Sequence, residues 1–356
     1  MTIFIIAFVV LLVIGVPISI SICASAVLGC MSLGYNMVVI GQKMVSGIDS
    51  FLLIAVPLFI LAGNLMNASK LTKKMFDTAK ELVGWIPGGL AHANVVASII
   101  FAGMSGSAVA DAGGLGAIEM EAMSTNGYDK EFSGAVTAAS SVIGPIFPPS
   151  IPLIIYGSVA SVQVERLFMG GVIPGLLMGV LLMVMILFFA IIRKYERHSF
   201  NLVRFIKQFL YSIPALGSPL IILSGFTLGW FTPTEASSIA VIYSLLVAIF
   251  VYRSLGWKDF LKCLKDSAIA SANTLFTYVM AMEGISRQMA DFILGVSSNP
   301  NVVLLVINVL LLLLGMVMEP GAILTLMLPV LLPIANGLGL NLVHFGVMVV
   351  LNLMIG

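Results

Sequence analysis

Long apolar runs follow one another along almost the whole chain, and they limit the folds that are open to it. Runs of roughly 15 to 25 residues, most of them long enough to cross a bilayer as a helix, recur between short polar connections. Hydrophobic residues make up 60% of the 356 residues and charged residues only 9%, whereas soluble domains contain about 25% charged residues. The sequence therefore predicts an all-α polytopic membrane protein, since a β-barrel would show short alternating segments instead.

Charge, cysteine content and the first apolar run exclude several other classes. The formal net charge of +1 gives no reason to expect nucleic acid as a partner, and the three cysteines lack the spacing of metal ligands. The apolar run at residues 3–28 lacks the basic segment of a signal peptide and is too long for one. We therefore predict that it forms the first membrane helix.

Lysines and arginines cluster in three connections between the apolar runs, and they predict the orientation of the chain. Cytoplasmic loops of membrane proteins carry an excess of these residues. The three basic connections lie at residues 70–80, 193–207 and 253–265. We expect all three on the cytoplasmic side.

The number of apolar runs between the first two basic connections raises a question of parity. Three runs lie there, at residues 90–104, 132–160 and 170–192. Because three crossings cannot begin and end on one side, we expect residues 88–125 to enter and leave on the same side as a re-entrant hairpin. Its tip is expected at residues 103–107. The same count predicts a second hairpin at residues 302–336, which enters from the opposite side.

Two hairpins that enter from opposite sides predict an inverted repeat, and a displacement of 212 positions supports one. At this offset four glycines of the first half coincide with glycines of the second, and Ser140 falls on Asn352. The coincident glycines are Gly103 with Gly315, Gly127 with Gly339, Gly134 with Gly346, and Gly144 with Gly356. Inverted repeats with interrupted helices are typical of secondary transporters, whose binding sites lie near the membrane midplane.

Prolines interrupt the apolar run at residues 130–160, where a helix in hydrocarbon should keep its backbone bonded. Pro145, Pro148 and Pro149 remove three N–H donors and leave upstream carbonyl groups without helical partners. Unwound backbone of this kind must line a protein-walled or watery cavity, where its oxygens suit a cation such as Na⁺. The half-helix that starts near Ser150 would offer free N–H groups to an anion. A purely structural kink is the alternative.

The predicted hairpin tip carries polar side chains at a depth where they are costly. Ser105 and Ser107 supply two hydroxyl groups, although small residues also allow close helix packing. Asp111 lies one turn beyond Ser107, and intramembrane acids are functional hypotheses by default. We consider it a candidate ion ligand, proton carrier or hydrogen-bonding anchor for the tip. Glu119 and Glu121 are expected near the aqueous mouth of the hairpin.

Four separated motifs resemble the large membrane subunit of tripartite ATP-independent periplasmic (TRAP) transporters. They are AVPLFILAGNLM at 55–66, SGSAVADAGGLG at 105–116, FTPTEA at 231–236 and HFGVMVVLNLMIG at 344–356. The resemblance implies an elevator mechanism, in which a transport domain of two hairpins and two broken helices carries a carboxylate substrate with sodium ions past a scaffold. It also implies a small four-helix membrane subunit, a periplasmic substrate-binding protein and a location in the bacterial inner membrane.

The resemblance implies site residues as well. In this family the sodium ions lie between each hairpin tip and its broken helix. Here that expectation falls on Ser105, Ser107, Ser140 and Gly144 in the first half and on Gly315, Glu319, Asn352 and Gly356 in the second. The substrate is expected between the two groups, near Ser107, Pro148, Pro149 and Asn352. Sodium is the only cofactor implied.

Four segments make up the predicted organisation. Residues 1–50 form a scaffold helix and an interfacial segment, and residues 51–168 form the first repeat of the transport domain. Residues 169–262 form scaffold helices and a basic arm, in which Glu235 is a candidate anchor, and residues 263–356 form the second repeat. Members of the family continue after the final MIG with a threonine–proline–proline break, so the sequence is expected to be truncated at the second broken helix.

Two other classes of protein were compared with this interpretation. The sequence at residues 103–106 matches the motif around the serine of a rhomboid-type intramembrane protease, but none of His92, His198 and His344 is well placed as its base. We therefore predict a transporter and no enzyme. A stand-alone sodium-coupled anion transporter or antiporter with the same inverted repeat is the nearer alternative. The tip motif resembles the sugar-acid branch of the family, sialic acid included, more than the dicarboxylate branch.

Overall fold

All regular secondary structure that the computed structural model describes is helical. The described residues are scattered positions between 6 and 42 with the continuous stretch 18–32, residues 51–281 except 70, 196 and 198, and residues 300–356 except 317 and 318. No β-strand occurs in these parts of the chain, which confirms the prediction of an all-α protein. Most of the predicted interfacial segment before residue 50, and also Lys70 and His198, lie outside the described residues.

The helices follow the predicted apolar runs closely. They are α1 (Ile18–Ser32), α2 (Ala55–Ala68), α3 (Leu71–Val83), α4 (Gly89–Ser105), α5 (Gly116–Thr125), α6 (Lys130–Ser141), α7 (Ile151–Ala160), α8 (Val164–Arg193), α9 (Leu202–Thr227), α10 (Pro233–Leu246), α11 (Trp257–Ala281), α12 (Pro300–Gly315), α13 (Pro320–Gly337) and α14 (Leu342–Ile355). Among the described residues, three helices are long and apolar enough to cross a membrane: α8, α9 and the segment Pro233–Val251 that contains α10. Several other apolar helices are shorter, with 10 to 17 residues.

The first apolar run is not one continuous helix in its described part. The chain turns at Ile14 and Gly15, where Gly15 has a φ of +85° and Val16 N donates to Leu11 O at 3.0 Å. Helix α1 begins only at Ile18, after this turn. The prediction of a single helix over residues 3–28 is therefore wrong, and Gly15 supplies the left-handed conformation that the turn requires.

Helix α3 shows that the first basic connection is an amphipathic surface helix. Its buried residues include Thr72, Met75, Phe76 and Ala79, whose spacing places them on one face of a helix. Lys73 on the opposite side is exposed. The apolar face packs on α4 and α9, so the lysines are held at the surface by helix periodicity.

Helix α10 begins at a capping box. Thr232 Oγ1 accepts a hydrogen bond from Glu235 N at 3.4 Å, and the Glu235 carboxylate accepts one from Thr232 N at 2.8 Å. Pro233 occupies the first turn, where its missing N–H is not needed. In the structure, Glu235 thus stabilises the start of its own helix.

Two compact units make up the chain, and the first consists of Ala55–Ile151 and Phe168–Ala268. In this unit α10 packs on α2, α9 packs on α3 and α4, and α6 packs on α4 and α5. Asn64 Nδ2 donates to Ser267 Oγ at 2.8 Å and joins α2 to α11. Gly103 lies so close to α9 that an added Cβ would be 2.9 Å from Pro219 Cβ. Glycine at this position therefore permits the contact between α4 and α9.

The second unit consists of Met1–Ile54, Pro152–Leu167 and Ile269–Gly356. In it α14 packs on α12 and α13. The Tyr156 hydroxyl of α7 donates to the Leu342 carbonyl at 2.7 Å, and the Tyr156 ring lies against Gly346, where a Cβ would overlap it. The chain passes from the first unit to the second directly after Ile151, at the start of α7.

Candidate ion and substrate site

The chain turns after α4 at the sequence predicted for the first hairpin tip. Gly106 takes a left-handed conformation with a φ of +57°, and a Cβ added to Gly144 would lie 3.6 Å from Ser107 O. Ser107 Oγ accepts a hydrogen bond from Ala110 N at 3.3 Å. Ser105 Oγ is buried and has no hydrogen-bond partner among the described residues. Ser105 therefore brings an uncommitted oxygen to the tip, whereas Ser107 Oγ is already engaged.

Unwound backbone separates α6 from α7 at the predicted prolines, over residues 142–150. The tip touches this break, because a Cβ added to Gly106 would lie 2.5 Å from Pro149 O. Gly106 O also accepts a hydrogen bond from Ile151 N at 3.3 Å. The prediction of free N–H groups after the break is therefore wrong for the first two positions of α7, since the Ile151 N–H is bonded and Pro152 has none.

A buried network of polar side chains joins α4 to α6 beside the break. Ser140 Oγ donates to Asn94 Oδ1 at 2.6 Å, and Asn94 Nδ2 donates to Thr137 Oγ1 at 2.8 Å. Ser98 Oγ donates to Ser140 Oγ at 3.2 Å. Sequence reasoning found only Ser140. Spacing could have indicated the network. Residues 94 and 98 lie on one face of α4, and residues 137 and 140 lie on one face of α6.

Two buried carboxyl groups lie on the return arm of the hairpin. Asp111 opens a π-helical turn, Asp111–Leu115, and is 1% exposed, while Glu119 in α5 is fully buried. Ser98 is a polar neighbour of Asp111, and the two carboxyl groups are close enough to repel each other. Neither carboxyl group meets hydrogen-bond geometry with any described residue. The prediction of an aqueous position is wrong for Glu119, whereas Glu121 is exposed.

The segment predicted as the second hairpin contacts the end of α14. A Cβ added to Gly315, at the end of α12, would lie 3.1 Å from Gly356 Cα at the end of α14. Asn352 Nδ2 donates to Asn308 Oδ1, and Asn352 Oδ1 is buried without a hydrogen-bond partner among the described residues. Glu319 occupies the N-cap of α13, where its side chain is exposed and makes no capping bond.

The predicted site residues fall into two groups, one in each unit. The first unit holds Ser105, Ser107, Ser140, Gly144, Pro148 and Pro149, and the second holds Gly315, Glu319, Asn352 and Gly356. Within the first group the tip and the break are in direct contact, and within the second Gly315 and Gly356 are in contact. Their roles as sodium or substrate ligands stay predictions.

Secondary transporters typically contain interrupted helices. In this chain a turn lies against such an interruption, and buried polar groups lie beside it. The fold and the site thus define a multi-pass membrane transport protein. The chain matches the family described as tripartite ATP-independent periplasmic transporter, DctM component, over residues 5–356. It belongs to this family of inner-membrane large permease proteins. Because these are transport proteins and not enzymes, the alternative of an intramembrane protease is wrong.

Similar proteins carry names that refer to acidic substrates. The chain is 44% identical to the sialic acid TRAP transporter large permease protein of Vibrio cholerae, over 88% of this chain and 76% of the relative. It is 41% identical to the sialic acid TRAP transporter permease protein of Haemophilus influenzae, over 98% and 58%. It is 37% identical to the isethionate TRAP transporter permease protein of Oleidesulfovibrio alaskensis, over 98% and 57%. The chain thus spans less than two thirds of the last two relatives.

Proposed function

We propose that this chain is the large membrane subunit of a transporter that takes up a carboxylate by sodium-coupled secondary transport. The substrate that we propose is a sugar acid, with sialic acid as the first compound to test, because relatives named for sialic acid share 44% and 41% identity with the chain. A small membrane subunit and a periplasmic substrate-binding protein belong to this proposal, as the name of the family implies a tripartite system.

The observation that carries the sodium site is a buried, uncommitted oxygen at each hairpin. Ser105 Oγ and Asn352 Oδ1 have no hydrogen-bond partner among the described residues. A buried polar atom in this state costs about 1–3 kcal/mol, and a bound cation would offset that cost. Both oxygens lie near contacts between a hairpin and its broken helix, at Gly106 and at Gly315. Hydroxyl and amide oxygens are hard ligands, which suit Na⁺ better than a transition metal.

Helix boundaries in the two halves support the inverted repeat and, with it, an elevator mechanism. Helix α6 begins at Lys130 and α14 begins at Leu342, 212 positions later. The turns before them contain Gly127 with a φ of +81° and Gly339 with a φ of +65°, at the same offset. Local structure thus agrees with the offset that coincident glycines suggested, and re-entrant hairpins are the arrangement that we propose for both halves.

Uptake into proteoliposomes tests this function. The full-length protein would be reconstituted with the small membrane subunit and the substrate-binding protein of the proposed system, and labelled sialic acid would be supplied outside. We expect uptake that needs both the binding protein and an inward sodium gradient. Sodium-driven uptake without the binding protein would favour the stand-alone transporter. Uptake of a dicarboxylate but not of sialic acid would refute sialic acid as the substrate. Uptake that does not respond to sodium with any carboxylate would refute the sodium coupling.

A further inference from the structure

We propose that Asn94 and Asn308 are positioning residues, each of which orients an oxygen ligand of one sodium site. Asn94 would act through Ser140 and Asn308 through Asn352. This inference rests on the proposed sodium coupling, and it adds two residues on the first arms of the hairpins to the ligands expected at the breaks. Groups that hold a ligand in place commonly tune the affinity of an ion site without touching the ion.

In the first half the Ser140 hydroxyl has two acceptors, Asn94 Oδ1 at 2.6 Å and Thr137 O at 3.1 Å, and the shorter bond favours a proton that points to Asn94. Asn94 Nδ2 is committed to Thr137 Oγ1 at 2.8 Å, so Asn94 Oδ1 faces Ser140 and accepts its proton at 2.6 Å. A serine hydroxyl has one proton and two lone pairs. With the proton held by Asn94, a lone pair of Ser140 stays available to a cation. Without Asn94 the proton keeps only the longer bond to Thr137 O, which holds the hydroxyl less firmly against rotation toward the ion.

In the second half the same logic applies to an amide. Asn352 Nδ2 donates to Asn308 Oδ1, so Asn352 Oδ1 takes no part in that bond. That oxygen is buried, in a side chain that is 9% exposed, and it has no hydrogen-bond partner among the described residues. An acceptor on Asn308 therefore determines that an oxygen, and not an N–H group, is presented for ligand binding.

The two arrangements lie at matching places. Ser140 precedes Gly144 by four residues, and Asn352 precedes Gly356 by four, so each polar residue lies one helical turn before the glycine that meets its hairpin. In each half the partner asparagine lies on the first arm of the hairpin, in α4 or α12. A general packing role would not require an acceptor oxygen at both places.

Sodium titration of leucine and aspartate variants tests the inference. The full-length protein would be purified with its small membrane subunit, and melting temperature and uptake would be followed against NaCl in a choline background. Asn94→Leu and Asn308→Leu remove the acceptor. We expect the sodium concentration at half-saturation to rise about three- to tenfold, because one hydrogen bond is lost. Asn94→Asp and Asn308→Asp keep an acceptor and add a negative charge, so the sodium concentration at half-saturation should not rise.

Asn64→Leu is the control, because it removes a part-buried hydrogen bond from an asparagine to Ser267 on another helix. It should lower the melting temperature equally with and without sodium and leave half-saturation unchanged. If a leucine variant fails to assemble, Asn94→Gln and Asn308→Gln keep an amide but displace its oxygen, and should also raise half-saturation.

The possible outcomes distinguish failure of this inference from failure of the proposed sodium-coupled transport. A wild-type complex that ignores sodium in melting and in uptake would overturn the sodium coupling, and the inference with it. A sodium-responsive wild type, with leucine and glutamine variants that titrate like Asn64→Leu, would overturn the inference alone and leave a structural link between helices.

Discussion

Replacement of Gly106 by alanine should separate the first hairpin tip from the break. The φ of +57° at this position costs an L-residue about 1–2 kcal/mol. The added Cβ would lie 2.5 Å from Pro149 O and 3.0 Å from Ile151 N, so the tip must withdraw. The hydrogen bond from Ile151 N to Gly106 O would then be lost, at about 0.5–1.5 kcal/mol. Together we expect these effects to lower the free energy of unfolding by about 1.5–3.5 kcal/mol.

Gly127→Ala is a control for the backbone part of this effect. Gly127 also has a positive φ, +81°, but an added Cβ meets no atom within 4 Å. It should therefore cost only the conformational part, about 1–2 kcal/mol. The assay is equilibrium unfolding of the full-length protein in mixed micelles, together with the half-saturation of uptake by sodium.

We expect Gly106→Ala to be the more destabilising variant by about 1 kcal/mol, and to be the only one of the two that weakens sodium binding. Equal losses of stability in both variants, with unchanged sodium half-saturation, would show that the contact between tip and break contributes nothing. The steric reasoning would then be refuted.

Three further positions, Glu119, Gly346 and Thr232, are tested by substitution and thermal unfolding of the purified protein. Glu119→Gln should change stability by less than about 1 kcal/mol, or increase it, because it removes the cost of burying a carboxyl group and, to a smaller extent, repulsion from Asp111; a large loss would mean that the charge of Glu119 has a partner. Gly346→Ala should cost about 1–3 kcal/mol by overlap with the Tyr156 ring, and Tyr156→Leu should suppress most of that cost; additive losses would contradict the contact. Thr232→Val should cost about 1 kcal/mol through loss of the capping box with Glu235, and an unchanged melting temperature would count against it.

Features that depend on residue type at a known position were predictable from the sequence. Prolines at 145, 148 and 149 marked the break, which the structure has at residues 142–150. Gly106, between two serines, marked the turn after α4. Both follow from local backbone chemistry, since proline removes an N–H group and glycine permits a positive φ. The apolar runs gave the helices between these points for the same local reason.

Burial of Glu119 could not be predicted, because the sequence does not reveal the π-helical turn Asp111–Leu115 before it. Eight residues of ideal α-helix rotate by about 800°, which would leave Glu119 about 80° from Asp111 around the axis. A π-helical turn absorbs about one extra residue and brings the two within about 20°. The wider turn therefore moves Glu119 onto the buried face of Asp111, which the α-helical spacing in the sequence does not predict.

The polar network was missed for a different reason. Asn94 stands within an apolar run, and its position indicates a polar contact but not the partner. That partner, Ser140, is 46 positions away, and its identity depends on how α4 packs on α6. The Asn308–Asn352 pair is equally non-local, with a separation of 44 positions. Tertiary packing determines such pairs, so one sequence read alone does not disclose them.

Glycine and asparagine residues lie at helix contacts in both units of the chain. Gly356 permits a close backbone approach, since an added Cβ would overlap Leu312 O, whereas a Cβ on Gly144 would be in ordinary contact with Ser107 O at 3.6 Å. One turn earlier, Ser140 or Asn352 bonds to an asparagine on the first arm of the hairpin. Unwound backbone within a membrane has no water to satisfy it unless it lines a cavity, so protein groups must supply both the contact and the bonds. A few residues of the right type thus determine where α6 stops, in a chain whose hydrophobicity alone would allow the helix to continue.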